Sequence, residues 1–140
     1  MCIRDRAESY FAAALRIRPR NGGALYNMGL HLEKQGRMDE AAEYLSRSVL
    51  AQPENPDPRY HYGNVLLFQG QMEEALERYE EVVALDPGFA MAHQARGYVL
   101  TLLGRKGEAA KAYGDALRLK SDSQEARATL ERLQQVEAEE

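Results

Sequence analysis

The sequence repeats itself at an interval of 34 residues. The stretch LEKQGRMDEAAEYL, which starts at Leu32, returns as LLFQGQMEEALERY from Leu66 and as LTLLGRKGEAAKAY from Leu100. A glycine, a Glu-Ala pair and a bulky residue come back each time in the same register. Self-similarity at a fixed period of this length predicts a stack of similar supersecondary units that share one continuous core.

Three consecutive blocks, 22–55, 56–89 and 90–123, follow this period. When each block is numbered from one, glycine recurs at positions 8 and 15, glutamate at 19, alanine at 20 and a bulky residue at 24. In that order the residues are Gly29, Gly63 and Gly97; Gly36, Gly70 and Gly104; Glu40, Glu74 and Glu108; Ala41, Ala75 and Ala109; and Leu45, Tyr79 and Tyr113. Position 32 is occupied by Pro53, Pro87 and Ser121.

Each block carries two helical patterns. Leu25, Met28 and Leu32 recur at helical spacing, and Ala41 and Leu45 do so again after the intervening glycine. Apolar residues three and four apart lie on one face of a helix, so both patterns predict amphipathic helices. Every block is therefore expected to form an antiparallel pair, named here helix A and helix B.

The residues at the helix ends account for much of the repeat. Glycine at position 15 predicts the end of helix A, because the residue after the last turn often adopts a positive φ. Acidic pairs such as Asp39-Glu40 suit the start of helix B, where the helix dipole favours negative charge. Proline at position 32 predicts the end of helix B, and Asp57-Pro58 predicts the N-cap and first residue of the next helix A.

Glycine at position 8 lies inside helix A, where it costs about 1 kcal/mol relative to alanine. Because it returns in all three blocks despite this cost, we expect the cost to be offset by a gain in packing free energy between helices. Together with alanine at position 20 it would let helices A and B approach closely, while the bulky residue at position 24 fills the adjoining space. The recurring residues are thus predicted to form the contact surface of the helix pair.

This pattern resembles the tetratricopeptide repeat family, and the resemblance covers nearly the whole chain. Ala7, Phe11, Ala14 and Pro19 fall at the helix B positions of a further, truncated repeat. The resemblance implies an all-α fold, a right-handed solenoid of antiparallel helix pairs that twists into a superhelix. It also implies a protein-interaction scaffold that binds a peptide segment or a partner helix in the concave groove lined by the A helices.

The predicted organisation has six segments. They are a non-native head over 1–6, helix B of a truncated repeat over 7–21, three full repeats over 22–55, 56–89 and 90–123, and a charged capping helix over 124–140. The head, Met1-Cys2-Ile3-Arg4-Asp5-Arg6, resembles a translated sequencing-library transposon end. On this interpretation the chain is a fragment, so the sequence predicts no compartment.

Two features depart from the family. Position 4, where the family often has an aromatic residue, is Leu25, Arg59 and His93. Position 7 of the third repeat is Arg96, where a large apolar residue is usual. Two interpretations remain open: a looser repeat, or an Arg96 that lays its alkyl stem over the core and reaches water.

No pattern of catalytic or metal-binding residues is present. The three histidines, His31, His61 and His93, lack partners at metal-ligand spacing and are interpreted as ordinary surface or groove residues. No nucleophile-base pair and no phosphate-binding glycine loop appears. We therefore expect a segment that is not an enzyme and has neither cofactor nor metal.

Composition excludes further classes. The formal net charge is −4 and the basic residues are scattered among acids, unlike the clustered basic face of a nucleic-acid-binding protein. No apolar run approaches the roughly 20 residues of a membrane span, and a single cysteine, Cys2, excludes an internal disulfide framework. The expected partner is a protein or peptide.

The family resemblance assigns positions 2, 5, 9, 12 and 13 to the groove, with position 6 at its border. The candidate peptide-binding residues are Tyr26, Asn27, Leu30, Tyr60, His61, Asn64, Leu67, Phe68, Met91, Gln94, Tyr98 and Thr101. Glu33, Lys34, Asp57 and Leu102 occupy the same positions. Tyrosines supply contact area at low entropic cost, and amides can hydrogen-bond an extended peptide backbone.

One known family function is not expected. Repeats that hold the C-terminal carboxylates of heat-shock chaperones use lysine, asparagine and arginine at set groove positions. Here those places are Tyr26, Leu30, His61, Met91 and Ala95 in one register, or Tyr60, Asn64 and Ala95 in the next. Only Asn64 agrees, so binding through this carboxylate clamp is not predicted.

Two alternative functions are open. Glycosyltransferases and sulfotransferases carry similar arrays beside a catalytic domain, so the chain could be the recruiting arm of a larger enzyme. It could instead be a bacterial envelope assembly factor that resembles pilus-biogenesis or cytochrome-maturation components. The gene sequence on either side of this segment would distinguish these possibilities.

Overall fold

The computed structural model describes residues 3–119 and 124–139. Within them lie eight α-helices: α1 Ile3–Ile17, α2 Gly22–Lys34, α3 Met38–Ala51, α4 Pro56–Phe68, α5 Met72–Leu85, α6 Ala90–Leu102, α7 Lys106–Leu119 and α8 Gln124–Glu139. These described residues contain no strand, and the prediction of an all-α fold is confirmed. The chain divides into two compact units, residues 1–71 with α1–α4 and residues 72–140 with α5–α8.

The first unit has a core made from one face of each helix. Its buried apolar side chains are Leu15, Ala24, Leu25, Met28, Leu32, Ala41, Leu45 and Val65. Helix α1 begins at Ile3, inside the segment assigned above to a non-native head, and that assignment stays a prediction. Leu15 and Phe11 attach α1 to this core, and an ion pair of 2.9 Å joins Glu8 of α1 to Arg37.

The second unit is built in the same way. Its buried apolar side chains include Ala75, Leu76, Tyr79, Val82, Ala92, Val99, Leu100, Ala109, Ala112, Tyr113, Ala116 and Leu133. Leu133 belongs to α8, which packs on α7, and the role of α8 as a cap stays a prediction. Ser121, at position 32 of the third block, lies outside the described residues.

Helices α2, α4 and α6 all end in the same motif. The glycine at position 15 follows each helix with φ of 77°, 83° and 78° at Gly36, Gly70 and Gly104, which confirms the predicted positive φ. The next residue donates its N–H to a carbonyl five residues back, from Arg37 to Leu32, Gln71 to Leu66 and Arg105 to Leu100, each at 2.9 Å. This Schellman motif satisfies carbonyls that the end of a helix leaves without partners.

We expect Gly104→Ala to lower the free energy of unfolding by about 1 kcal/mol, because an L-residue pays a steric cost at positive φ. No atom lies within 4 Å of a Cβ added at Gly104, so the cost is conformational rather than a clash. Gly104→Asn should lose less, because asparagine tolerates the left-handed region better than alanine. Urea titration followed by circular dichroism compares the three proteins, and equal midpoints would contradict the assignment.

One predicted helix start is wrong. Helix α4 begins at Pro56, and its N-cap is Asn55, whose side chain accepts the Asp57 N–H at 3.1 Å. The sequence analysis placed the cap at Asp57, two residues later. Asn55 can cap as well as aspartate does, and Pro56 is compatible with the first helical position, so local rules allowed both choices.

Glycine at position 8 makes the predicted close contact in both units. A Cβ at Gly29 would lie 2.6 Å from Cγ of Leu45, and a Cβ at Gly97 would lie 2.8 Å from two ring carbons of Tyr113. Real Cβ atoms do not approach other atoms this closely. Helix pairs α2–α3 and α6–α7 are therefore packed at a distance that only glycine permits.

Two of the unusual residues at position 4, Arg59 and His93, have a structural reason. In three loops between a helix B and the next helix A, a basic side chain reaches the carbonyl of the proline, and in the first of them that side chain is Arg47 of α3 rather than Leu25 at position 4. The contacts are Arg47 Nη2 to Pro19 at 3.2 Å, Arg59 Nη1 to Pro53 at 3.1 Å and His93 Nε2 to Pro87 at 3.0 Å. His93 is buried, so its interpretation as a surface or groove histidine is wrong.

Arg96 is half-buried on α6. The pKa of Glu108, in the first turn of α7, is lowered first by a hydrogen bond from Arg105 and further by the positive charge of Arg96. The Arg96 charge therefore acts at the edge of the α6–α7 contact, which Gly97 and Tyr113 keep tight. The close α6–α7 packing argues against a loose repeat, and the course of the Arg96 alkyl stem over the core stays a prediction.

Candidate functional site

The twelve candidate binding residues all keep some exposure to solvent. Half-buried members are Tyr26, Leu30, Tyr60, His61, Asn64, Leu67 and Gln94, and exposed members are Asn27, Phe68, Met91, Tyr98 and Thr101. None of the twelve is fully buried, although Tyr26 also packs against the core of the first unit.

In the first unit, α2 and α4 bring an aromatic group together. The His61 ring lies edge-on to Tyr26, with ring centroids 5.7 Å apart, and edge-on to Tyr60 at 5.2 Å. His61 Nδ1 lies 3.2 Å from Glu33 Oε2, which ties the histidine of α4 to the carboxylate of α2. We name Tyr26, Glu33, Tyr60 and His61 the α2–α4 cluster.

The carboxylates of Glu33 and Asp57 make the electrostatic potential at the α2–α4 cluster negative. Burial raises the pKa of the Tyr26 hydroxyl, and the nearby carboxylates of Asp57 and Glu33 raise it further. The pKa of Tyr60 is raised mainly by burial and also by Glu33, while a hydrogen bond with Asn64 opposes the shift. Both phenols are therefore neutral at physiological pH and present polar hydroxyl groups beside two carboxylates.

The contact between Glu33 and His61 was not foreseen from the sequence. Each residue had been placed at the groove separately, at position 12 of one repeat and position 6 of the next. The 28-residue spacing between those positions is the signal that could have identified the pair. It is visible only if side chains of successive A helices are compared across the repeat boundary.

The second unit contributes candidate residues along one face of α6. Met91, Gln94, Tyr98 and Thr101 follow one another at intervals of three and four residues, which places them on one side of a helix. Met91 and Tyr98 are about half exposed, at 53% and 50%. The Thr101 hydroxyl donates to the Gly97 carbonyl at 2.8 Å, so this side chain can only accept a hydrogen bond from a ligand.

A further concavity in the first unit escaped the sequence analysis. A cleft of about 570 Å³ is lined by Pro19, Arg20, Leu25, Arg47, Leu50 and Ala51. The guanidinium carbon of Arg47 lies over the Tyr44 ring, 5.5 Å from its centroid. The same guanidinium donates a hydrogen bond to the Pro19 carbonyl. Leucine at position 4 is the sequence signal for this cleft, because it is smaller than the aromatic residue usual in the family.

The described residues hold no group of three or more histidine, cysteine or acidic side chains placed to bind a metal ion. Their helices also include none with the length and apolar character of a membrane span.

Comparison with known families decides the identity of the repeat. Sequence models described as tetratricopeptide repeat match residues 4–56, 32–99 and 91–123, and together they run through all three blocks. The chain belongs to the tetratricopeptide repeat (TPR) family. No curated protein sequence matched this TPR chain.

Solved TPR structures share the fold. MamA superposes with a TM-score of 0.89 at 19% identity, over 99% of this chain and 86% of MamA, which confirms the predicted repeat fold. The first TPR of Spaghetti (RPAP3), bound to the HSP90 peptide SRMEEVD, gives 0.80 at 26% identity, over 84% of this chain and 93% of that one. YrrB, described as a TPR protein with an unusual peptide-binding site, gives 0.82 at 27% identity, over 90% of this chain and 65% of YrrB.

Proposed function

We propose that this TPR chain is a protein-interaction scaffold whose A helices bind an extended peptide segment or a partner helix. The observation that carries the proposal is the α2–α4 cluster, a partly exposed aromatic surface whose side chains are held by contacts with one another. Two TPR proteins above 25% identity, RPAP3 and YrrB, bind a peptide or are described as having a peptide-binding site.

The α2–α4 cluster has the properties of a binding anchor. Tyr26 and Tyr60 are held against His61, so little side-chain entropy is lost when a ligand packs on them. Tyrosine is among the residues that contribute most to binding energy, and such residues concentrate the affinity of an interface. A short peptide seated here would bind with an affinity of about 1 μM, or roughly −8 kcal/mol.

The other candidate residues supply the surrounding contacts in this proposal. Asn27, Leu30, Asn64, Leu67 and Phe68 lie on the same two helices as the α2–α4 cluster. Phe68 is 72% exposed, far more than a core phenylalanine would be. The α6 face with Met91, Gln94, Tyr98 and Thr101 is proposed as a contact surface of the same kind. The recruiting-arm and envelope-factor alternatives stay predictions that the neighbouring gene sequence would test.

We expect Tyr60→Ala to weaken peptide binding by 10-fold to 100-fold, because truncation removes an aromatic anchor of about 1.4–2.8 kcal/mol. The measurement is a peptide array, followed by fluorescence polarisation with each peptide that the wild-type protein binds. Tyr10→Ala is the matched control, because Tyr10 is 76% exposed on α1 and is not one of the candidate binding residues.

The outcomes separate clearly. Binding that is lost in Tyr60→Ala and retained in Tyr10→Ala supports the proposed surface. Peptides that bind both variants as tightly as the wild type would overturn it and place the site elsewhere on the protein. Circular dichroism of each variant excludes unfolding as the cause of a loss.

A further inference from the structure

We infer that the α2–α4 cluster selects a peptide that carries a lysine or arginine. The cation of that side chain lies against Tyr26 and Tyr60, beside the carboxylates of Glu33 and Asp57. This inference rests on the proposed function and names the chemistry of its ligand. No feature of the repeat pattern alone requires a basic partner.

The two tyrosines supply faces that attract a cation. Tyr26 and Tyr60 each lie edge-on to the His61 ring, and each is only partly buried. The face of a tyrosine ring carries negative electrostatic potential, and a cation within about 6 Å of its centre is attracted by it. A long basic side chain can also lay its apolar stem along the rings.

The two carboxylates make the site selective for positive charge. Glu33 is held in place by His61 through one of its two oxygens, and a carboxylate retains further acceptor capacity beside such a contact. Asp57 is exposed in the first turn of α4, where its backbone N–H is bound by Asn55. Burial is the main cause that raises the pKa of Tyr26, and the charges of Asp57 and Glu33 add to it, in keeping with two carboxylates near the same phenol.

Three arginines of the first unit are engaged by other groups. Arg37 pairs with Glu8 and Glu40, Arg47 holds the Pro19 carbonyl, and Arg59 holds the Pro53 carbonyl. Lys34 follows Glu33 on α2 and is exposed to solvent. Lys34 is the one lysine or arginine at the assigned groove positions of this unit, whereas two carboxylates, Glu33 and Asp57, occupy such positions. The net charge of these groups is therefore negative, which favours a cationic ligand.

An acidic ligand would meet the opposite conditions. The peptide SRMEEVD that RPAP3 binds carries three acidic side chains, and like charges placed together at an interface cost affinity. The ionised carboxylates of Glu33 and Asp57 can only accept hydrogen bonds, so they offer no donor to an acidic ligand.

The test uses the full chain and a library of ten-residue peptides, acetylated and amidated at their ends so that no terminal charge contributes. One position at a time is fixed as lysine, norleucine or glutamate, and binding is measured by fluorescence polarisation. Norleucine keeps the apolar stem of lysine without its charge. We expect the best lysine pool to bind about tenfold more tightly than the matching norleucine pool, and the glutamate pool to bind most weakly.

A double variant and a control variant test whether the preference for lysine over norleucine depends on the carboxylates of Glu33 and Asp57. Glu33→Gln together with Asp57→Asn should reduce the ratio between the lysine and norleucine pools to about one, because shape and hydrogen-bonding atoms are kept while both charges are lost. Glu43→Gln is the matched control, since Glu43 is an exposed acid on α3 and is not one of the candidate binding residues. Its ratio should stay at the wild-type value.

The two proposals fail in different ways. Binding that depends on Tyr60 but shows equal or greater affinity for norleucine or glutamate pools overturns the inferred charge selectivity and leaves the peptide-binding surface standing. A lysine preference that survives in the double variant also overturns it. Binding that does not depend on Tyr60 overturns the proposed surface itself.

Discussion

The variant Gly97→Val is expected to lower the free energy of unfolding by about 3 kcal/mol, at the upper end of what overpacking a helix interface costs. Even the first added carbon would lie 2.8 Å from the Tyr113 ring, and the second and third have no more room. A tyrosine ring is rigid and Tyr113 is nearly inaccessible to solvent, so relief requires α6 and α7 to move apart. Such a separation would expose apolar surface along the whole helix pair.

Gly114→Ala is the matched control for this effect. Gly114 also lies inside a helix, α7, but no atom lies within 4 Å of a Cβ added there. Alanine should therefore raise the free energy of unfolding by about 0.5–1 kcal/mol through helix propensity alone. Urea denaturation followed by circular dichroism measures both variants, and a Gly97→Val protein as stable as the wild type would show that the contact has no energetic weight.

The second large effect concerns the pair of Gly29 and Leu45. Leu45→Ala should lower the free energy of unfolding by about 3–4 kcal/mol, since Leu45 is fully buried and its removal leaves a cavity. Gly29→Ala alone should lower it by about 1 kcal/mol, because the clash at 2.6 Å exceeds the gain in helix propensity.

Combining the two substitutions tests whether these residues act as one contact. The methyl group of an alanine at position 29 would enter the space that Leu45→Ala vacates, so the double variant should be at least 1 kcal/mol more stable than the sum of the single effects predicts. Denaturation of the four proteins completes the double-mutant cycle. Strictly additive losses would contradict a direct contact and would attribute the conserved spacing to some other cause.

The candidate binding residues were named from the family resemblance, which assigns certain positions of helix A to the groove. Tyr26, Tyr60 and Tyr98 come from that assignment, and each is partly or well exposed. The link between Glu33 and His61 was not accessible, because it depends on how closely two A helices approach. That distance is set by packing and not by either residue.

The errors in the sequence analysis have the same origin. His93 was expected at the surface, since a histidine in isolation favours water, but the Pro87 carbonyl gives it a partner that makes burial tolerable. The cap of α4 was placed at Asp57 instead of Asn55 because two good capping residues flank Pro56 and both satisfy the local rules. Neither choice can be made from neighbours along the chain alone.

The sequence by itself determined the repeat length, the helices, the φ of Gly36, Gly70 and Gly104, and the glycine contacts between helices A and B. These follow from steric limits on single residues and from periodicity, which act within one helix or one helix pair. Only the tertiary structure decided that Arg47 binds the Pro19 carbonyl and that Glu33 meets His61 beside the aromatic rings of α2 and α4. Those outcomes depend on groups that are distant in the chain, where the free energy of a contact is shared by both partners.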